Sequence, residues 1–257
     1  MRNLLFKISF EGSSFHGWQQ QDNAVTVQGE LKAAFQRLTG ETPNIIGCSR
    51  TDAGVHANEY FFNVRTESTI PVESFPVALM SAKLPGEIAV HSCKEVDYDF
   101  HARYDAKSRE YCYFVHFVKD PFSEKFSYRM RYPLDIEAMN KACEHLLGEH
   151  DFSCFEKVGG NNTTSICSIT EASWSTYRPN HVELMGSPYT EGDYIVFRIS
   201  ANRFLRNMVR AIVGSLIEVG RGKKDPAWIT ELIASKSRSA AGQSVPGNAL
   251  FFCGAEY

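Results

Sequence analysis

The stretch "GCSRTDAGVHA", residues 47–57, places Arg50 and Asp52 two positions apart, just before an Ala-Gly pair. Ser, Thr, Asp and Gly are ordinary turn formers, and Gly54 can take a positive φ without steric cost. A plain surface turn accounts for that composition. The alternative is a turn that presents one carboxylate and one guanidinium to a ligand, since residues two apart on extended chain project to the same side. Residues 44–48 form a short apolar run that reads as a strand leading in. Residues 59–66 alternate as the strand leading out.

Working outward, "LLFKISF" at residues 4–10 reads as a first strand with Phe6, Ile8 and Phe10 on one face. A polar loop carrying Phe15 and Trp18 follows. Thr26 then caps a helix in which Val27, Leu31, Phe35 and Leu38 share a face, and Gly40 ends it. Residues 72–83 have helical spacing despite Pro76, and 88–96 form a further strand. Beyond residue 107 the order is similar. Residues 109–118 read as a strand, and Asp135 caps a helix with Ile136, Met139, Cys143 and Leu146 inward, ended by Gly148. Strands are expected near 168–176, 181–185 and 194–200. A strong helix is expected over 204–219, with Phe204, Met208, Ile212 and Leu216 at steps of four. Pro226 starts another helix, and 250–253 close with a strand. The order suggests an α+β protein of two halves, 1–107 and 108–257, each an antiparallel sheet with helices on one face and a cleft between the sheets.

The chain has 257 residues, 43% of them hydrophobic, enough for one large core or two modest ones. Its net charge of −3 argues against a uniformly basic nucleic-acid binder but allows a local basic face. Residues 198–224 hold Arg198, Arg203, Arg206, Arg210, Arg221, Lys223 and Lys224 against the single acid Glu218. Arg103, Lys107 and Arg109 form a smaller basic group. Seven cysteines with no C-x-x-C pair read as reduced thiols, and eight histidines without metalloprotease-type spacing argue against a metal site. No apolar run reaches membrane-spanning length and no signal-peptide pattern opens the chain, so a cytoplasmic protein is expected.

Four stretches in order resemble the TruA family of tRNA pseudouridine synthases: "FHGWQQQ" with "TVQGEL" after it, "SRTDAGVHA", "FHARYDAKSREYCY" and "FLRNMVRAIVGSLIEVGRG". They span nearly the whole chain. The resemblance implies two ferredoxin-like halves with antiparallel and mixed sheets flanking a central RNA-binding cleft, a homodimer, no cofactor and no metal. It implies isomerisation of a uridine in the anticodon arm of tRNA, in which uracil leaves its sugar through N1 and returns through C5.

That chemistry gives the opening stretch a purpose. Breaking a glycosidic bond develops positive character at C1′, which a carboxylate stabilises or attacks. One carboxylate suffices where the base stays captive and water is kept out. On the resemblance, Asp52 is the catalytic aspartate. Attack on the sugar, attack on the ring and elimination to a glycal remain open to it. Arg50 matches the arginine that fills the stack vacated by the flipped uridine and holds phosphate. Tyr111 matches a tyrosine that stacks on uracil and is placed to take the C5 proton, whereas Tyr113, on the same side of the strand, reads as core. Arg210 matches the arginine that pairs with the aspartate. Arg203 and Arg206 supply backbone-binding charge, joined by Arg221, Lys223 and Lys224, and Leu250 matches an apolar residue near the active site.

Departures from the family pattern stand at Glu11, Ser49, Cys167 and Ala249, and bear on substrate choice more than on chemistry. The nearest rival is the same reaction at another RNA site. A catalytically idle RNA-binding protein of the same fold would not need the set Asp52, Tyr111 and Arg210, and a small-molecule glycosidase would need a second carboxylate.

Overall fold

The computed structural model describes residues 1–157, 159, 163–186 and 189–257. In chain order its elements are β1 (Arg2–Phe10), α1 (Val27–Thr39), β2 (Ile45–Gly47), β3 (His56–Thr66), α2 (Phe75–Ser81), β4 (Ile88–Val96), β5 (Ser108–His116), β6 (Tyr128–Arg129), α3 (Ile136–Glu144), β7 (Gly148–Asp151), β8 (Ile166–Thr176), α4 (Asn180–Met185), β9 (Tyr194–Ala201), α5 (Met208–Gly220), α6 (Trp228–Ser235) and β10 (Leu250–Glu256). The strand pairing is mostly antiparallel, and the chain divides into two compact units.

The first unit comprises Met1–Arg109 and Phe251–Tyr257. β1 lies between β3 and β4, antiparallel to both, with Phe6 opposite Phe62 on one side and Cys93 on the other. Phe6 stacks on Phe62 with ring centroids 4.9 Å apart, and meets Phe35 of α1 and Phe75 of α2 edge-on. These four rings are the apolar centre of the unit, and all are fully buried. α1 forms as its sequence dictates: the Thr26 hydroxyl accepts the Gly29 amide at 3.3 Å, and Gly40 closes the helix at φ 76°. Val27, Leu31 and Phe35 are buried, Leu38 only partly. Pro76 sits in the first turn of α2, where a missing amide costs nothing. β2 pairs with β3, and β10 runs parallel to β3, Phe251 opposite His56 and Phe252 opposite Ala57. A buried amide pair fastens residues 97–102 to this sheet. The Asn63 carbonyl oxygen accepts the Ala102 amide at 2.8 Å, and Asn3 Nδ2 donates to the carbonyls of Asp97 and Phe100 at 3.0 and 2.9 Å.

The second unit is Glu110–Leu250. Its strands lie in the order β5-β9-β8-β7, and β6 pairs parallel with β5. α5 is buried nearly all round; Ala211, Ile212, Val213, Ser215 and Leu216 are fully enclosed. It begins at Met208 rather than Phe204. Asn207, at φ 64°, breaks the helical path, so Arg203 and Arg206 stand on the segment before the helix. Gly214 lets the chain at 242–245 lie against α5: a Cβ there would stand 1.8 Å from the Gln243 carbonyl oxygen. α3 ends before His145, and Gly148 opens β7 instead of terminating the helix. Residues 180–185 are helical, where alternation of apolar residues suggested a strand. Asp120 is buried in the loop after β5. It accepts the Ser123 hydroxyl, the Phe122 amide at 3.0 Å, the Tyr194 hydroxyl at 3.0 Å and His181 Nε2 at 2.8 Å.

All seven cysteines are free thiols, and burial pushes those of Cys48, Cys143 and Cys154 up to about 12. These are packed, unreactive side chains. Among the described residues no helix is long and apolar enough to cross a membrane.

Candidate active site

The loop between β2 and β3 is tied down at nearly every residue. Cys48 continues the ladder, its amide donating to Phe61 at 2.9 Å. Its carbonyl accepts Arg109 Nε and Nη2 at 3.3 and 3.2 Å. The Ser49 carbonyl takes the Tyr60 hydroxyl. The Thr51 carbonyl takes the Trp18 amide at 3.2 Å, and the Val55 amide closes a tight turn onto the Asp52 carbonyl at 3.2 Å. The Gly54 amide donates to Phe15 at 3.2 Å, with Gly54 at φ 76°. Side-chain burial alternates along the loop: Thr51 is buried, Asp52 half-buried and Arg50 exposed. The loop therefore turns Arg50 and Asp52 outward from a fixed backbone, which is what a reacting carboxylate needs.

Two residues to which the sequence assigned no part in the site build this support. Trp18, in the polar loop, is 1% exposed, and its ring centroid lies 4.3 Å from that of Tyr60. Arg109, grouped by sequence with surface cations, is buried instead. Its guanidinium is committed to the carbonyls of Cys48, Ala106 at 2.8 Å, and Arg103. It is a strut under the loop and contributes no phosphate-binding surface.

Tyr111, Arg203, Arg206, Arg210 and Leu250 belong to the second unit. Tyr111 is buried with its ring edge-on to Phe204, centroids 5.1 Å apart. Tyr113 is fully buried, its hydroxyl donates to the Pro246 carbonyl at 3.1 Å, and burial raises its pKa. That hydroxyl serves the fold. Arg210, in the first turn of α5, is half-buried and its Nε donates to the Val245 carbonyl at 2.7 Å. Leu250 is buried at the start of β10. The basic segment is partly neutralised: Arg198 pairs with Glu110, and Arg221 and Lys223 both pair with Glu218. Arg203, half-buried, and Arg206, exposed, form no ion pair among the described residues.

A half-buried carboxylate thus stands on a braced loop, two residues from an exposed arginine. A family model described as tRNA pseudouridine synthase matches residues 8–105 and 142–257. The chain is 41% identical over 252 residues to "tRNA pseudouridine synthase A 2" of Clostridium perfringens, covering 97% of each chain. It is 40% identical over 253 residues to "tRNA pseudouridine synthase A" of a Thermoanaerobacter species, covering 98% of each. It is also 40% identical to the protein of that name from Parabacteroides distasonis, over all of this chain and 96% of the relative. The chain belongs to the tRNA pseudouridine synthase family.

Proposed function

We propose that this enzyme acts on uridines of the anticodon arm with Asp52 as its nucleophile. The reaction is the isomerisation of uridine to pseudouridine in tRNA. The observation that carries the assignment of Asp52 is its place on the braced loop: half-exposed, beside Arg50, with the backbone on both sides of it held by hydrogen bonds. The carboxylate bonds to C1′ as the C1′–N1 electron pair leaves with uracil; the freed uracil turns, its C5 displaces the carboxylate from C1′, and N1 takes up a proton to balance the one lost from C5. Arg50 occupies the space left by the flipped nucleotide. Tyr111 stacks on the base and takes the C5 proton. Arg210 pairs with the aspartate, Arg203 and Arg206 bind the backbone, and Leu250 closes the apolar wall.

We read each unit as a ferredoxin-like half, a reading supported by antiparallel strands carrying helices in both. Two copies of the chain act together on the RNA in the cytoplasm. The test is Asp52→Asn, which keeps shape and removes charge. Pseudouridine formation in a tRNA transcript should vanish while RNA affinity stays within about tenfold. Turnover by the Asn variant at near the wild-type rate would overturn the assignment. Mapping pseudouridine in cellular tRNA with and without the gene tests the anticodon arm as the target.

A further inference from the structure

His56, four residues after Asp52, opens β3 and is 1% exposed. Its ring stacks on Phe251 with centroids 4.5 Å apart. Its Nδ1 lies 2.9 Å from the backbone nitrogen of Gly12. A backbone N–H can only donate, so Nδ1 is the acceptor and carries no proton; the imidazole is the neutral form with its proton on Nε2. Glu11 Oε1 stands 3.2 Å from the same nitrogen, but that oxygen accepts the Ser13 amide at 2.9 Å. The Gly12 and Ser13 amides thus go to different acceptors.

Gly12 is where the two loops come closest. A Cβ on it would stand 2.0 Å from the Val55 carbonyl oxygen, so no other residue fits without moving the turn that Asp52 and Val55 close. Further along, Phe15 and Trp18 are bonded to Gly54 and Thr51. The 11–18 loop thus grips the Asp52 loop on both sides, and His56 is the side chain that fixes where this grip begins.

Resting on the reading of Asp52 as nucleophile, we propose that His56 is a positioning residue for the reaction: its bare Nδ1 holds the Gly12 amide and so sets the orientation of the Asp52 carboxylate. A histidine that merely fills the core would tolerate any side chain of similar bulk. A positioning histidine requires an acceptor at one atom. The side-chain oxygen of asparagine falls where Nδ1 is, whereas glutamine reaches the Nε2 position.

The test uses the full-length protein and a full-length tRNA transcript, with His56→Asn, His56→Gln and Gly12→Ala measured for single-turnover rate, RNA affinity and melting temperature. Expected is an Asn variant within about threefold of the wild-type rate, and Gln and Gly12→Ala variants slower by about tenfold or more at nearly unchanged affinity. An Asn variant that is as slow as the Gln variant, or that fails to fold, overturns the proposal. So does a rate loss that simply follows the melting temperature across the set. Asp52→Asn is assayed alongside: activity in that variant defeats the nucleophile assignment, whereas an inactive Asp52→Asn with equal Asn and Gln variants at His56 defeats this proposal alone.

Discussion

Arg210 and Val245 hold each other by two hydrogen bonds: Arg210 Nε donates to the Val245 carbonyl at 2.7 Å, and the Val245 amide donates to the Arg210 carbonyl at 3.2 Å. The Nε contact fixes the plane of the guanidinium and with it the direction of the terminal nitrogens. Lysine carries the charge but has no planar fork and no Nε–H. Arg210→Lys is therefore expected to lower the single-turnover rate by more than about tenfold, on the scale of a charge-assisted hydrogen bond of about 1.5–3 kcal/mol. A rapid-quench assay with saturating enzyme checks this, and a wild-type rate would return Arg210 to a packing role.

Basic residues separate by what they touch. Arg109→Met leaves the carbonyls of Cys48, Ala106 and Arg103 without their donor, and should destabilise the protein by on the order of 3 kcal/mol in urea unfolding. The salt dependence of RNA binding by the folded protein should not change. Arg203→Ala and Arg206→Ala should do the reverse. Each should leave stability near wild type and reduce the slope of log affinity against log salt by about 1. Filter binding across a salt series decides, and a reduced slope for the Arg109 variant would contradict its role as a strut.

Acid should unlock the second unit at Asp120. Burial opposes its ionisation, but hydrogen bonds from Ser123, the Phe122 amide, Tyr194 and His181 outweigh this and lower its pKa from 3.8 to about 2. A carboxyl whose folded pKa is depressed adds stability above its unfolded pKa and loses it as pH falls toward the folded value. The contribution is on the order of 2 kcal/mol at neutral pH and fades between about pH 4 and pH 2. Asp120→Asn should be less stable than wild type at pH 7, with the gap narrowing as pH drops below 4. Urea titrations from pH 7 down to about 3 measure the difference, and a gap that stays constant would refute it.

Assembly should show in substrate length. If tRNA crosses two copies of the chain, a minimal anticodon hairpin should react far more slowly than full-length tRNA at low concentration, and the difference should shrink at saturating RNA. Sedimentation of the active enzyme should give a dimer. An active monomer, or equal efficiency on the two RNAs, would reject the arrangement.

Much of this was legible in sequence because local signals agreed. Thr26 and Gly40 frame α1 as capping rules require, and residues 88–96 form the strand expected of them. The Asp52 loop was legible through its motif, but its support was not. Arg109 becomes a strut only because distant carbonyls converge on it, and His56 only because β1 delivers Gly12 to its ring. Residues 181–185 misled because a six-residue helix is too short for periodicity to separate from alternation; Gly186, left-handed at φ 69°, was the stop signal. Phe204 misled because its spacing to Met208 is helical while Asn207 between them is left-handed. The parallel pairing of β10 with β3 had no local signal at all.

That last pairing has a consequence for how the protein is made. Residues 251–257 complete the sheet that carries the Asp52 loop, with Phe252 fully buried and the Tyr257 hydroxyl donating to Ala102 at 2.9 Å. They emerge from the ribosome only after all of residues 110–250. The first unit must wait, partly built, while the second is synthesised, because a sheet cannot close on a strand that does not yet exist. The Asp52 loop therefore gains its complete sheet late in translation, and a chain broken off before residue 251 carries Asp52 without the strand that completes that sheet.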